Sequence, residues 1–287
     1  MAAIWRGAFW MVLAALSFAV LLASVRLLSD KFPTIEIVFV RALVGIFLIV
    51  PMVARNGLSR LRTRRLPMHF ARTGFAFAAM LSMYYGLIHI PIGDVTALSF
   101  LIPVFCTLAA GLVLREEVDA ARWAATVVGF LGALVIVRPG MESVSLPMLA
   151  VLLSCAFYAG AWTSVKFLTT TEPASVIVFY MNLMMLPLTL IPSLFVWVAP
   201  GWEDLPALLV MGLSGWTAHF CQARAFAAAD ASAVMPFDFL RLPFTAGLGW
   251  LLFAETLDVW TWIGAGAIFA STYFITVRES RGRGGQG

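Results

Sequence analysis

The chain contains one segment twice, and this internal repeat restricts the possible folds more than any other feature of the sequence. Three residues recur with identical spacing 139 positions apart, namely Glu116, Asp119 and Trp123 and then Glu255, Asp258 and Trp262. The same offset pairs Phe100 with Phe239, and an offset of 140 pairs residues 24–26 with residues 164–166. We infer one unit written twice, at residues 1–140 and 141–278, followed by a predicted disordered cytoplasmic tail at 279–287.

Each copy must fold in a membrane, because the chain is too apolar for water. Hydrophobic residues make up 62% of the sequence and charged residues 12%, against about 45–50% and about 25% in soluble domains. Spanning helices of about 20 residues place apolar side chains in lipid and bond every backbone group internally. Ten such helices are predicted, at about 8–28, 34–53, 67–88, 94–114, 120–137, 146–168, 174–198, 205–228, 231–254 and 259–277.

The basic residues indicate how these helices are oriented. One side of the predicted bundle holds most of them: Arg6, Arg55, Arg60, Arg62, Arg64, Arg65, Arg72, Arg115, Arg122, Lys166, Arg224, Arg278, Arg281 and Arg283. The other side holds Arg26, Lys31 and Arg138. By the positive-inside rule, both termini are cytoplasmic, in a multi-pass protein of a bacterial-type cytoplasmic (inner) membrane.

The number of crossings in each unit predicts how the two units are related. Five crossings bring the chain to the opposite side, so the second unit is inverted relative to the first. We therefore predict an all-α integral membrane protein with ten transmembrane helices as two inverted five-helix repeats. This arrangement is typical of secondary transporters that work by alternating access.

Other classes of function fit the sequence less well. The arginines at positions 55–65 lack the aromatic residues or module of a nucleic-acid site, so no nucleic-acid partner is predicted. The three cysteines lie in apolar segments without metal-ligand spacing, so no metal or cofactor is expected. A membrane-embedded lipid-processing enzyme and a non-transporting partner subunit are alternatives. The sequence has no P-loop, GxSxG or HExxH motif, and we predict a protein that is not an enzyme.

The ten-helix plan, the two repeats and the acidic residues Glu116 and Glu255 resemble the EamA family of the drug/metabolite transporter superfamily. This resemblance implies a carrier that moves small metabolites, often amino acids and commonly outward. It also implies a central cavity lined by helices one to four and six to nine. Helices five and ten are then expected outside the cavity, and their small residues, such as Gly132 and Gly264, independently favour close packing of these two helices.

Polar side chains at mid-membrane depth are the candidates for substrate contact, because each is costly in lipid without a cavity or partner. Asp238 and Arg241 lie three residues apart on one helical face, and His219 is predicted in the same layer. The predicted substrate-binding residues are Asp238, Arg241, His219, Trp216, Tyr84, Ser99, Phe100, Tyr158, Trp162 and Phe237. The alternative is that Asp238 and Arg241 form a purely structural ion pair.

Arg41 also lies inside a predicted span, with Glu36 five residues earlier. We interpret this pair as a gate or a structural charge, although Arg41 is also suited to bind a carboxylate.

The resulting hypothesis is a metabolite carrier, most simply an exporter of amino acids with aromatic or large apolar side chains. The alternative is an uptake carrier for a vitamin, nucleoside or similar planar metabolite. Transport is either coupled to protons through Asp238 and His219 or a uniport. The expected partners are the small-molecule substrate and the lipid bilayer, and the protein is expected to be a monomer or weak dimer.

Overall fold

The computed structural model describes residues 2–56, 63–109, 111, 120–138, 145–168, 171–228, 234 and 237–284. Helices account for nearly all of this part of the chain. They are α1 (Ala2–Leu28), α2 (Thr34–Asn56), α3 (Leu66–Leu87), α4 (Ile92–Ser99), α5 (Ile102–Leu108), α6 (Ala120–Val137), α7 (Leu146–Leu168), α8 (Ala174–Ser193), α9 (Leu205–Ala228), α10 (Arg241–Phe253) and α11 (Val259–Gly284). The repeated residues Glu116 and Asp119 lie outside the described residues.

Three of these helices meet the length and hydropathy of a membrane span by themselves, with spans at Trp5–Leu28, Leu146–Val165 and Val176–Ser193. The surface of the bundle is also strongly apolar. Large hydrophobic side chains are exposed on many helices, and Phe47, Trp250 and Leu251 are each about two-thirds exposed. Such a continuous apolar surface is unfavourable in water and favourable in lipid.

The helix predicted at 94–114 differs from the structure, where it is broken at Phe100 and Leu101 between α4 and α5. The helix predicted at 231–254 is broken in the same way at Phe239 and Leu240, just before α10. A proline follows each break, Pro103 in α5 and Pro243 in α10. Proline lacks the amide hydrogen and its ring displaces the carbonyl four residues earlier, so it favours a kink or a break at these points.

Two predicted boundaries are also corrected. The final helix continues to Gly284, so residues 279–284 are helical where the sequence predicts a disordered tail. The helix predicted at 174–198 ends at Ser193, within a segment that contains Pro187 and Pro192. A turn at 194–196 follows it.

The helices pack mainly in pairs from the two halves of the chain. The most extensive interfaces join α1 to α9, α3 to α7, α6 to α11 and α2 to α8. The main apolar core contains residues of both halves, among them Leu98, Leu101, Val151 and Ile268. The two halves therefore form one bundle.

The interface between α6 and α11 is close because small residues meet there. A Cβ atom added to Gly132 would lie 2.8 Å from the carbonyl oxygen of Gly264, and one added to Gly264 would meet the carbonyl oxygen of Gly132. One end of the interface is joined by a 2.6 Å hydrogen bond from Ser271 Oγ to the carbonyl of Ala125. Both helices are continuous at these glycines, so the small residues serve the close packing of α6 on α11.

Candidate functional site

The two helix breaks are stabilised by hydrogen bonds that replace those of a regular helix. Backbone amides at each break bond three residues back, from Leu101 to Leu98 and from Leu242 to Phe239. Carbonyl groups near the first break accept from other helices: Leu98 from the Cys155 thiol and Phe100 from the Thr272 hydroxyl. Irregular backbone is tolerated inside a membrane only with such partners or beside a cavity, so the breaks mark the centre of the bundle as a candidate site.

Aromatic rings meet at the two breaks. The rings of Phe100 and Phe239 are stacked, with centroids 4.0 Å apart and an interplanar angle of 19°. Phe269 of α11 also packs against Phe239, at a centroid distance of 4.0 Å and a tilt of 53°. The breaks therefore hold a short aromatic stack at the centre of the bundle.

The predicted pair Asp238 and Arg241 lies on either side of the second break. Arg241 donates a 3.1 Å hydrogen bond to Asp238, and its guanidinium group lies over the rings of Phe100 (4.8 Å) and Phe18 (5.4 Å). Asp238 Oδ1 and Arg241 Nε are buried without a hydrogen-bond partner. Buried polar atoms are almost always paired, so this ion pair retains binding capacity for a polar ligand.

His219 and Arg41 form a second polar group. One guanidinium nitrogen of Arg41 lies 3.2 Å from His219 Nε2, and another donates to Met80 Sδ at 3.3 Å. The ring of Phe18 packs edge-on against His219 at 5.2 Å and also contacts Arg241, so it separates the two polar groups. His219 nevertheless remains accessible to solvent, which shows that an open space lies beside it.

Tyr158 of α7 packs against the main apolar core, which also contains Tyr84. A small cavity of about 10 Å³ lies beside Arg41 and is lined by Met80, Met181 and Asn182 among others. A cavity of this size holds about one water molecule, so a metabolite could enter it only if the surrounding helices moved apart.

The remaining predicted residues make other contacts. Trp216 stacks on Phe220 at 4.9 Å, and Phe237 packs against a smaller cluster around Met11 and Cys221. Ser99 is buried and donates its hydroxyl hydrogen to the carbonyl of Thr96.

Trp162 is 43% exposed on the surface of α7. Its indole is thus available to lipid, unlike the stacked rings at the breaks.

Glu36 and Arg41 have different partners. Glu36 is buried and accepts a 3.0 Å hydrogen bond from the backbone amide of Val198, while its other oxygen has no partner. Glu36 therefore ties α2 to the segment after α8, whereas Arg41 points to His219.

Sequence reasoning missed an ion pair between the two halves. Arg26 of α1 lies 2.6 Å from Glu255, and it also donates to the carbonyls of Leu87 and Ile90. Glu255 in turn accepts the backbone amide of Ile92 at 2.9 Å. The sequence did show that Glu255 repeats Glu116, but nothing in it indicated that Arg26 is the partner of Glu255.

The end of the bundle that contains Arg26 and Glu255 is called the outer end below, because the charge distribution predicts it to lie outside. Two further ion pairs join the halves there, Arg138 with Asp258 at 2.5 Å and Lys31 with Asp204 at 2.6 Å. The hydrogen bond from Lys31 holds the pKa of Asp204 below its ordinary value, and the bond to Asp204 raises the pKa of Lys31. Both groups are therefore charged around neutral pH.

Among the described residues, no group of three or more His, Cys, Asp or Glu side chains is placed to hold a metal ion. Cys155 and Cys221 are buried and free.

A bundle with an apolar surface and a polar, aromatic centre at two helix breaks is typical of membrane carriers of small molecules. The chain belongs to the EamA-like transporter family, whose model matches it twice, at residues 5–138 and 145–277. It is a multi-pass membrane transporter of the drug/metabolite transporter type, and its relatives are bacterial transporters.

Two relatives and one solved structure show how far the similarity extends. The chain is 33% identical to a riboflavin transporter of Vibrio cholerae, covering 96% of this chain and 94% of the relative. It is 28% identical to an S-adenosylmethionine uptake transporter of Rickettsia prowazekii, with the same coverage of 96% and 94%. A crystal structure with 16% identity matches 98% of both chains with a TM-score of 0.65, which shows a shared fold.

Proposed function

We propose that this protein is an uptake carrier for a planar aromatic metabolite of the flavin type. The observation that carries the proposal is the stack of Phe100 and Phe239 at the helix breaks, with the Arg241 guanidinium over one ring. Such a surface binds a flat heteroaromatic ring by stacking and cation–π contact. The riboflavin and S-adenosylmethionine transporters to which the chain is similar support this alternative better than the export of amino acids.

The polar end of the substrate would bind at the groups beside the stack. Asp238 Oδ1 and Arg241 Nε offer one free acceptor and one free donor, which suit the imide and hydroxyl groups of a flavin. His219 and Tyr158 would lie along the entry path. A zwitterionic amino acid fits the same acceptor and donor, so aromatic amino-acid export stays a second candidate.

Transport is proposed to occur by alternating access of two inverted halves. The packing supports this proposal. In the repeat, α1 is equivalent to α7 and α3 to α9, and the interface of α1 with α9 therefore corresponds to the interface of α7 with α3. The offset of 139 also relates Ala125 to Gly264 and Gly132 to Ser271. The contact of Ala125 with Ser271 therefore corresponds to the contact of Gly264 with Gly132. A nearly two-fold bundle can adopt two conformations of opposite accessibility.

The closed side is proposed to be the outer end. Three ion pairs and the bond from Val198 to Glu36 join the halves there. We propose that this state opens toward the cytoplasm, with both termini on that side, as the positive-inside rule predicts.

The test is transport by the purified protein in liposomes. We expect uptake of labelled riboflavin that exceeds the uptake of labelled tryptophan and phenylalanine. Phe100→Leu and Arg241→Gln should each reduce the initial rate by about tenfold or more, because each removes part of the ring-binding surface. Arg224→Gln is the matched control, since it removes an exposed arginine of α9 whose guanidinium contacts Trp10 and Phe220 rather than the stack.

Each result separates the two candidates. Transport of tryptophan and phenylalanine without riboflavin would support the amino-acid carrier and reject the flavin proposal. Transport of none of these solutes by a folded, monodisperse protein would reject both substrate classes.

A further inference from the structure

The most deeply buried ion pair among the described residues joins His69 to Glu172. His69 Nε2 lies 2.6 Å from Glu172 Oε2, and the two side chains are 0% and 8% exposed. The hydroxyl of Thr63 donates to the other carboxylate oxygen of Glu172. The ring of Tyr180 packs on the imidazole at a centroid distance of 4.7 Å. Since Thr63 and His69 belong to the first half of the chain and Glu172 and Tyr180 to the second, this cluster joins the two halves.

The cluster lies at the end of the bundle opposite to the outer end, here called the inner end. His69 is in the first turn of α3, and Glu172 is in the segment between α7 and α8. The positive-inside rule predicts that this end faces the cytoplasm. Thr171 and Pro173, on either side of Glu172, are exposed. Water at the inner surface can therefore exchange protons with the cluster by way of the carboxylate.

The charge of this contact depends on the number of protons that it holds. Glu172 is bonded to the neutral hydroxyl of Thr63 and to His69, and no described lysine or arginine lies within ion-pair distance of it. With one proton between Nε2 and Oε2, the pair keeps the negative charge of the carboxylate. A second proton makes the pair neutral. Because a buried charge without a countercharge is costly, the contact is most stable when it holds two protons.

Other groups oppose the second proton, so the pair is not fixed in one state. His69 Nδ1 is buried without a hydrogen-bond partner, and a proton bound there would have no acceptor. Arg65, which donates to the carbonyl of Phe167 at 3.2 Å, adds positive charge to this end. Arg72 does the same from the next turn of α3, on the face that carries His69. The pair is therefore suited both to take up and to release a proton, which titrates with the pair as a unit.

The equivalent contact at the outer end lacks a histidine. The offset of 140 relates Lys31 to Thr171, and the offset of 139 relates Asp204 to Arg65, so the same two segments of the repeat meet at both ends. Lys31 and Asp204 stay charged around neutral pH, as shown above. Histidine, in contrast, ordinarily changes its charge between pH 5 and pH 8. Of these two contacts, a change of pH in the neutral range therefore acts on the inner one.

We propose that His69 and Glu172 form a regulatory proton-binding site that makes transport depend on cytoplasmic pH. The proton comes from water at the inner surface and stabilises the contact between α3 and the segment after α7. A conformation that loosens this contact binds the proton less tightly, and by linkage acid favours the conformation in which the contact is made. This inference rests on the proposed carrier function. It assigns the pH response to the inner end and not to Asp238 and His219 at the centre.

The first test measures the initial rate of riboflavin uptake into liposomes with the same pH on both sides. We expect the wild-type rate to be about threefold or more lower at pH 5.5 than at pH 7.5, because the bound proton holds the carrier in one conformation. In His69→Gln and Glu172→Gln the ratio of the two rates should approach one. His89→Gln is the matched control, since His89 is exposed and donates to the carbonyl of Tyr85 in its own helix. It should keep the wild-type ratio.

Two variants guard against misfolding. Glu172→Gln keeps an acceptor for Thr63, and His69→Gln keeps a donor to Glu172, so either variant carries the test if the other does not fold. A wild-type pH dependence that persists in both variants would overturn the assignment. A pH dependence that disappears in Asp238→Asn but persists in His69→Gln would place the proton at the centre instead.

A second test does not depend on the transported solute. The thermal unfolding midpoints of wild type and Glu172→Gln are compared from pH 5 to pH 8. The difference should be larger at pH 5 by about 3 °C or more, because there the charged imidazole loses its carboxylate partner. If riboflavin is not transported, this measurement still decides the site. A difference that is constant over this range, as expected for Lys31 and Asp204, would rule out a titrating pair at the inner end.

Discussion

Phe100 and Phe239 occupy equivalent positions in the two halves of the chain, and their rings stack on each other with centroids 4.0 Å apart. A residue that contacts its own repeat equivalent would lie on the two-fold axis that we propose for the two halves. The backbone breaks at the same point in each half of the chain. The stack is part of the proposed binding surface.

Loss of one ring of this stack should affect transport more than stability. Phe239→Leu keeps an apolar side chain between Phe100 and Phe269, and we expect a loss of about 1–2 kcal/mol in unfolding free energy. The transport rate should fall by about tenfold, since the substrate loses its stacking surface. Liposome uptake and thermal unfolding of the same preparations measure the two effects. Equal, large losses of fold and transport would show that the stack is only structural.

The pair of Arg26 and Glu255 should hold the outer end closed. Glu255→Gln removes the ion pair but preserves an acceptor for the amide of Ile92, so the bundle should remain folded while its outer end opens more often. Alkylation of a cysteine introduced at Leu257, which packs against Gly93, should become several-fold faster in Glu255→Gln. An unchanged alkylation rate would show that this pair does not control opening.

The glycines of the α6–α11 interface should tolerate no larger residue. In Gly264→Leu the new side chain would overlap the carbonyl of Gly132 and the side chain of Ile136, and we expect destabilisation by about 2–3 kcal/mol. Gly266→Leu is the matched control, because a Cβ there meets no atom within 4 Å. It should be neutral or slightly stabilising, since leucine favours helix more than glycine does. Similar unfolding midpoints for the two variants would contradict the close interface.

The ion pair of Lys31 and Asp204 should be insensitive to pH over the neutral range. Because the pKa of Asp204 is lowered, the contribution of its carboxylate to folding stability is complete above the ordinary pKa of 3.8. This contribution is lost as the pH falls through the lowered pKa. Because the pKa of Lys31 is raised, the contribution of its ammonium group to folding stability is complete below the ordinary pKa of 10.5. This contribution is lost as the pH rises through the raised pKa.

The difference in unfolding midpoint between wild type and Asp204→Asn should therefore be constant from about pH 5 to about pH 9. It should shrink in stronger acid. A difference that changes near pH 6 to 7 would require another titrating group at this contact.

Much of the architecture was predictable from local sequence. The segments at 120–137, 146–168 and 205–228 are helices with the predicted bounds, because a long apolar segment in lipid must bond its backbone internally. The proximity of Asp238 and Arg241 was expected from their spacing, although the structure places them on either side of a helix break rather than on one continuous helix. Pro103 and Pro243, which follow the breaks, were visible in the sequence as well. The apolar pattern nevertheless predicted that each of these two helices is continuous.

The sequence by itself determined the membrane environment, the repeat and most helix bounds, since these depend on residues close together in the chain. Only the tertiary structure decided that Phe100 meets Phe239, that Arg26 pairs with Glu255 and that Arg41 meets His219. Each of these contacts joins the two halves across more than 130 residues. Their partners depend on how helices from the two halves pack, and in lipid that packing is governed by close van der Waals fit and interhelical polar bonds rather than by hydrophobicity.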